Sequence, residues 1–76
     1  MTNMSPAMVY DGLEWRDHSG VRHRTDGPAY INVNGHHEWY VNGVCITQQV
    51  TQWQLSHNIS WPWDESTQAV FTLTWS

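Results

Sequence analysis

The stretch that decides the fold is YINVNGHHEWYVNGVCI, from Tyr30 to Ile46. It contains two Asn-Gly pairs, Asn34-Gly35 and Asn42-Gly43, each flanked by β-branched and aromatic residues. Asn-Gly is a strong hairpin signal because both central positions of a type I′ turn require positive φ. Read as a two-residue loop, the first pair sets Val33 opposite His36, Ile31 opposite Glu38 and Tyr30 opposite Trp39. The second sets Val41 opposite Val44 and Trp39 opposite Ile46. One face then carries Tyr30, Trp39, Val41, Val44 and Ile46, and the other carries Ala29, Ile31, Val33, Tyr40 and Cys45. A half-exposed antiparallel sheet alternates apolar and polar residues. Here neither face is polar, so both are expected to be covered, by the rest of the chain or by a partner.

Outward from this stretch the same punctuation continues. Glycines fall at Gly12, Gly20, Gly27, Gly35 and Gly43, preceded by Asp11, Ser19, Asp26, Asn34 and Asn42. Short strands at that spacing read as an antiparallel meander over residues 1–46. A turn at Ser19-Gly20 would set Asp17 against Arg22 and Trp15 against Arg24, an ion pair and a cation–π contact worth a few tenths to about 1 kcal/mol each. Beyond Ile46 the pattern changes. Thr47 is a suitable N-cap for a short helix within residues 47–57, with Val50, Trp53 and His57 on one stripe. Residues 58–68 form a loop around Trp61-Pro62-Trp63, and residues 69–75 alternate strictly, with Ala69, Phe71, Leu73 and Trp75 on one side. That alternation predicts a terminal strand closing a sheet edge. The expected fold is a β-rich α+β single domain over residues 1–76: an antiparallel β-meander with one short helix and a C-terminal strand.

Size and composition bound the function. At 76 residues with one cysteine, Cys45, the chain has no intrachain disulfide to support a small core, and no Cys/His spacing fits structural zinc. Six Trp, three Tyr and one Phe are available instead, and rings of this kind either build cores or form partner surfaces. Seven acidic residues against three arginines and no lysine give a net charge of −4. Too few cations remain for the several phosphate contacts that nucleic-acid binding needs, so no direct nucleic-acid partner is expected. No run reaches membrane-spanning length, and residues 1–6 lack the basic and apolar parts of a signal peptide. The expected location is cytoplasmic.

The segment from Trp15 to Gly43 carries W, G, H-R-x-D-G-P-A (His23, Arg24, Asp26, Gly27, Pro28, Ala29), G, and W-Y-x-N-G (Trp39, Tyr40, Asn42, Gly43). It resembles a β-hairpin repeat, similar in strand-turn logic to the MORN repeat, that occurs in small bacteriophage and bacterial proteins. The likeness covers about residues 13–46. A second H-R-x-D-G-P-A copy after the Asn-Gly turn is absent, replaced by Val44-Cys45-Ile46 and the helix. The resemblance implies a β-meander and a phage-like origin, host cytoplasm as the setting, and action by binding a host protein. It supplies no chemistry of its own, and any individual specificity is expected in the C-terminal thirty residues.

Catalytic and metal readings are weak. His36 and His37 are adjacent on a strand and point to opposite faces, so they cannot chelate together. His18 and His23 lack a third ligand, and His23 and Asp26 are better placed to satisfy turn backbone groups. Cys45 has no base with an orienting partner, and Glu14, Glu38, Asp64 and Glu65 have no cleft. No enzyme activity, cofactor or metal is expected. Two indoles on a proline-containing loop beside two carboxylates have the make-up of an interface anchor. Trp61, Trp63, Asp64 and Glu65, with Tyr40 and Trp53, are therefore the expected partner-binding residues. The expected function is a phage-type inhibitor or adaptor that occludes a surface of a host defence or transcription protein, with a homodimer compatible with that role. A carbohydrate-binding or homo-oligomeric structural module is the alternative.

Overall fold

The computed structural model describes residues 6–75. The start of the chain, on which the signal-peptide reading rests, lies largely outside the described residues. Strands β1 (Ala7–Val9), β2 (Gly12–Glu14), β3 (Tyr30–Asn32) and β4 (His37–Glu38) form an antiparallel sheet in the order β1-β2-β3-β4. A hairpin of β5 (Tyr40–Val41) and β6 (Val44–Cys45) follows, and then helices α1 (Thr47–His57) and α2 (Glu65–Trp75). The architecture is α+β, with a four-stranded meander, a separate hairpin and two C-terminal helices. It overturns the expected single helix and terminal strand.

The two Asn-Gly turns turn out to be different objects. At Asn42-Gly43 both residues have positive φ, 52° and 81°, and Val41 pairs with Val44, the two-residue loop and register expected. At Asn34-Gly35 only the glycine does, at 86°. The pairs are Tyr30 with Glu38 and Ile31 with His37, one residue away from the expected register. The Asn32 side chain is the cause: its Oδ1 accepts from the N–H groups of Asn34 (2.9 Å) and His36 (3.0 Å), and its carbonyl accepts from Gly35 (2.9 Å). This is a type I turn with Asn first and glycine fourth, the usual frame for a three-residue loop. Asp17-His18-Ser19-Gly20 repeats it, with Asp17 Oδ1 accepting from the Ser19 N–H at 2.8 Å and Gly20 at φ 88°. Arg16 therefore bridges to Arg22, and Asp17 does not oppose it. A one-residue slip exchanges the faces of a strand, which is why the expected face assignments around β3 and β4 fail.

Gly12 is not a turn residue. The β1–β2 turn is Tyr10-Asp11, since Val9 pairs with Gly12, and Gly12 also pairs with Asn32. A Cβ there would overlap the Ile31 carbonyl oxygen and lie 2.7 Å from Asn32 Cα. Glycine is required by close backbone approach rather than by φ.

Residues 69–75 are helical because their partners are. Positions four apart satisfy a period of 2 and a period of 3.6 alike, and Phe71 and Trp75 use the helical option. Phe71 is fully buried, 4.9 Å from the Trp63 ring and 5.1 Å from that of Trp75. Asp64 caps the helix, accepting from the Thr67 N–H at 2.8 Å. The Thr72 and Thr74 hydroxyls donate to the carbonyls of Gln68 and Val70, four residues back. Thr47 is the first residue of α1 and does not cap it. Its hydroxyl accepts instead from the Trp39 N–H at 2.9 Å, tying the helix to the strand side. α1 ends with Asn58 in the left-handed region and with the Asn58 and Ile59 N–H groups on the carbonyls of Leu55 and Gln54, a Schellman closure.

The apolar core lies between the hairpin and the helices: Trp39, Val41, Ile46, Val50 and Phe71, with Trp53, Trp61, Trp63 and Trp75 packed against it. All six tryptophans are buried or half-buried. The aromatic excess is core material for a chain too short to fill an interior with aliphatics.

Candidate functional site

Each residue expected to bind a partner, Glu65 excepted, has a structural engagement. Trp63 stacks on Trp39 (6.0 Å, 17°), meets Trp53 edge-on (5.2 Å) and donates from Nε1 to Gln54 Oε1 at 2.9 Å. Trp61 lies 5.5 Å from the His37 ring and donates to the Asp26 carbonyl, 3.3 Å away, on the loop of the H-R-x-D-G-P-A motif. Tyr40 receives the Arg22 guanidinium over its ring at 5.1 Å. Asp64 is held below the usual carboxylate range by Thr67, through its side chain and N–H. Glu65 is exposed at the start of α2. The indoles are turned against one another and against the core. Trp53 also lines a surface concavity.

That concavity is a groove between the two helices, with a volume of about 270 Å³, lined by Trp53, His57, Ile59, Thr67 and Val70. Small-molecule pockets run from roughly 300 to 1,000 Å³, so the groove suits one large apolar side chain better than a whole ligand. Each helix contributes residues, and the Schellman closure after α1 places Ile59 at the groove. Val70 is 48% exposed, and Leu73, three residues along the same helix, is 87% exposed. From Ile46 onward the chain contains Asp64 and Glu65 and no arginine or lysine, so the helical half is acidic. Comparison with known proteins gives no match in family models, in curated proteins or in solved structures.

The arginines are engaged elsewhere. Glu14, only 2% exposed, accepts hydrogen bonds from Nε of Arg16 and Nε of Arg22. The Arg16 bond, with that of Arg22, holds the Glu14 carboxyl below its usual range against the opposing effect of burial. Arg22 also lies 4.7 Å from the Tyr30 ring, and the Tyr30 phenol is pushed up to about 12 by its hydrogen bond to Asp11 and by burial. Arg24 is over Trp15 at 4.0 Å, the cation–π contact expected, and pairs with Asp26 at 2.6 Å. The ion pair expected between Asp17 and Arg22 is replaced by Glu14 with Arg22. Nothing in the pattern around Glu14 marks it for burial, because Arg22, its second partner beside Arg16, arrives through the loop that shifts the register.

His23 Nδ1 accepts from the Asn42 N–H at 2.9 Å, a backbone-satisfying role of the kind expected for it. Among the described residues no group of His, Cys, Asp and Glu has the geometry of a metal site. Cys45 is exposed on β6, and its hydrogen bond with Thr47 Oγ1 (3.3 Å) draws the thiol below its usual value. No helix among the described residues is long and apolar enough to cross a membrane.

Proposed function

We propose that this chain is a non-enzymatic binding protein of phage type, which inhibits or redirects a bacterial host protein by covering part of its surface. The observation that carries the reading is the groove between α1 and α2: an apolar slot about one side chain in volume, in an acidic half of the molecule that has no arginine or lysine of its own. Its complement is a partner segment that inserts an apolar anchor and flanks it with basic residues, which favour the acidic side electrostatically and steer encounter. The engagement of all three arginines in internal ion pairs supports a protein partner over a phosphate-bearing one. The likeness to phage repeat proteins over residues 13–46 supports the setting in a host cytoplasm.

The test is capture from bacterial lysate by the intact chain, identification of the captured protein, and titration of the purified pair. Val70→Arg introduces a like charge for the expected basic flank at a half-exposed position and leaves the core untouched. The reading expects at least about a hundredfold loss of affinity, equal to roughly 2.7 kcal/mol, with an unchanged far-ultraviolet spectrum. Equal affinity of Val70→Arg and the parent chain for the captured protein would remove the groove from the function.

A further inference from the structure

The four-stranded sheet is turned inside out. Cross-strand pairing places Met8, Leu13, Ile31 and His37 in one row on one face, and Ala7, Glu14, Tyr30 and Glu38 in the adjacent row on the other. The inward row holds the buried Glu14 carboxylate and the Tyr30 ring, with Arg16 and Arg22 bonded to Glu14 and Arg22 over Tyr30, so the covered side of this sheet is built around an ion cluster. The apolar row faces out, with Met8 88% exposed, Leu13 36% exposed and Ile31 half-buried. At one end of the sheet the Val33 N–H donates to the Asp11 carbonyl at 2.8 Å, which joins the two turns that carry Tyr10 (104% exposed) and Val33 (77% exposed). An antiparallel sheet with one wet face puts its polar residues there; this one does the reverse.

We propose that a second copy of the chain covers this face, packing sheet on sheet across a two-fold axis. Area supports that occupant. The exposures leave a patch on the order of 500 Å², toward the upper end of what monomers show, and a stable interface takes roughly 800 Å² from each partner. With the exposed Asn34 and His37 at its rim, the patch approaches that amount. Charge supports it as well. Two copies each carrying −4 repel, and the row from Met8 to Ile31 has no charged side chain to set against its own image. A two-fold contact is self-complementary, and a featureless apolar row meets that condition where a charged face would not. Size gives the third reason. The chain has one cysteine, and the described residues hold no metal cluster. Beside its aromatic core, oligomerisation is a further device open to a domain this small. This interface is separate from the interhelical groove, so either proposal stands or falls without the other.

Sedimentation of the full chain across roughly 1 µM to 1 mM tests it, with three variants. The parent chain is expected to associate to a dimer. Met8→Lys, at a position too exposed to affect folding, and Leu13→Lys are each expected to weaken the dimer at least about tenfold, with the far-ultraviolet spectrum retained. Val70→Arg, in the groove, is expected to leave the dimer intact. A parent chain that stays monomeric throughout the range overturns the proposal. So does a dimer that Met8→Lys leaves unchanged, which also settles the matter should Leu13→Lys fail to fold.

Discussion

Residues 7–46 hold all three arginines and five of the seven acids; residues 47–75 hold the other two acids and no arginine or lysine. The first region secures its interior with a buried carboxylate, two guanidiniums and rings stacked under them. The second secures its interior with tilted and edge-on contacts among Trp53, Trp63, Phe71 and Trp75. The two meet at Trp39 and Trp61, where an indole of the loop between α1 and α2 touches His37 and the Asp26 carbonyl. The difference teaches how a short chain divides its work. Strands of two or three residues cannot bury much side-chain area, so charge and hydrogen bonding fix them in place. Helices of 11 residues can, and aromatic rings suffice.

The comparison breaks most visibly at Phe71. Phe71→Ala removes a fully buried ring from the aromatic cluster, and a loss of about 3–5 kcal/mol is expected. Urea titration followed by tryptophan fluorescence measures it, and the loss should be the same at pH 7 and pH 4.5, because no ionisable group is involved. Glu14→Gln is the counterpart in the strand region. It leaves two arginines without their carboxylate, yet Arg16 and Arg22 are 52% and 31% exposed. Hydration discounts the 3–5 kcal/mol typical of a fully buried pair, and about 2 kcal/mol is expected.

The same residue gives the pH dependence. A carboxyl whose value is lowered by folding contributes stability that is complete above its unfolded value, about 4.3 for glutamate. That stability is lost as pH falls through the lower folded value. The parent chain should therefore lose stability below about pH 4.5, and Glu14→Gln should flatten that decline. An equally steep decline in both would place the acid sensitivity elsewhere. The smallest expected effect sharpens the boundary of the helical region. Asp64→Ala removes the cap of α2 and should cost about 1 kcal/mol, seen as faster amide exchange at Thr67 and Gln68 with the strand region unaffected.

Much of the strand region is legible along the chain. Asn42-Gly43 specifies its own hairpin because Asn tolerates the left-handed region and glycine prefers it, whereas the Trp15–Arg24 contact forms with Trp15 facing His23 rather than Arg24 across the strands. The three-residue loops carry a local signal too. Asp17 and Asn32 stand three residues before their glycines, which favours a type I turn over the two-residue form, and attending to the glycine alone displaces the register by one. Which large side chains stay exposed was the least legible. Tryptophans beside carboxylates suggest a surface anchor, yet here the indoles face inward and the large exposed groups include Met8, Leu13, Val33, Val70 and Leu73.

The sequence by itself determined the antiparallel meander and the second hairpin, because turn geometry is set by two to four adjacent residues. It also determined the lack of spare cations for a phosphate ligand. Only the tertiary structure decided that residues 69–75 are helix. Phe71 and Trp75 fit either period, and the choice falls to whichever presents both rings to Trp53 and Trp63. Burial of Glu14 was likewise decided in three dimensions, since Arg22 reaches it across a register that one side-chain cap displaces. The outward turn of Met8, Leu13 and Ile31 follows from the same cause: once the charged row is taken inside, the pleat leaves the apolar row facing out.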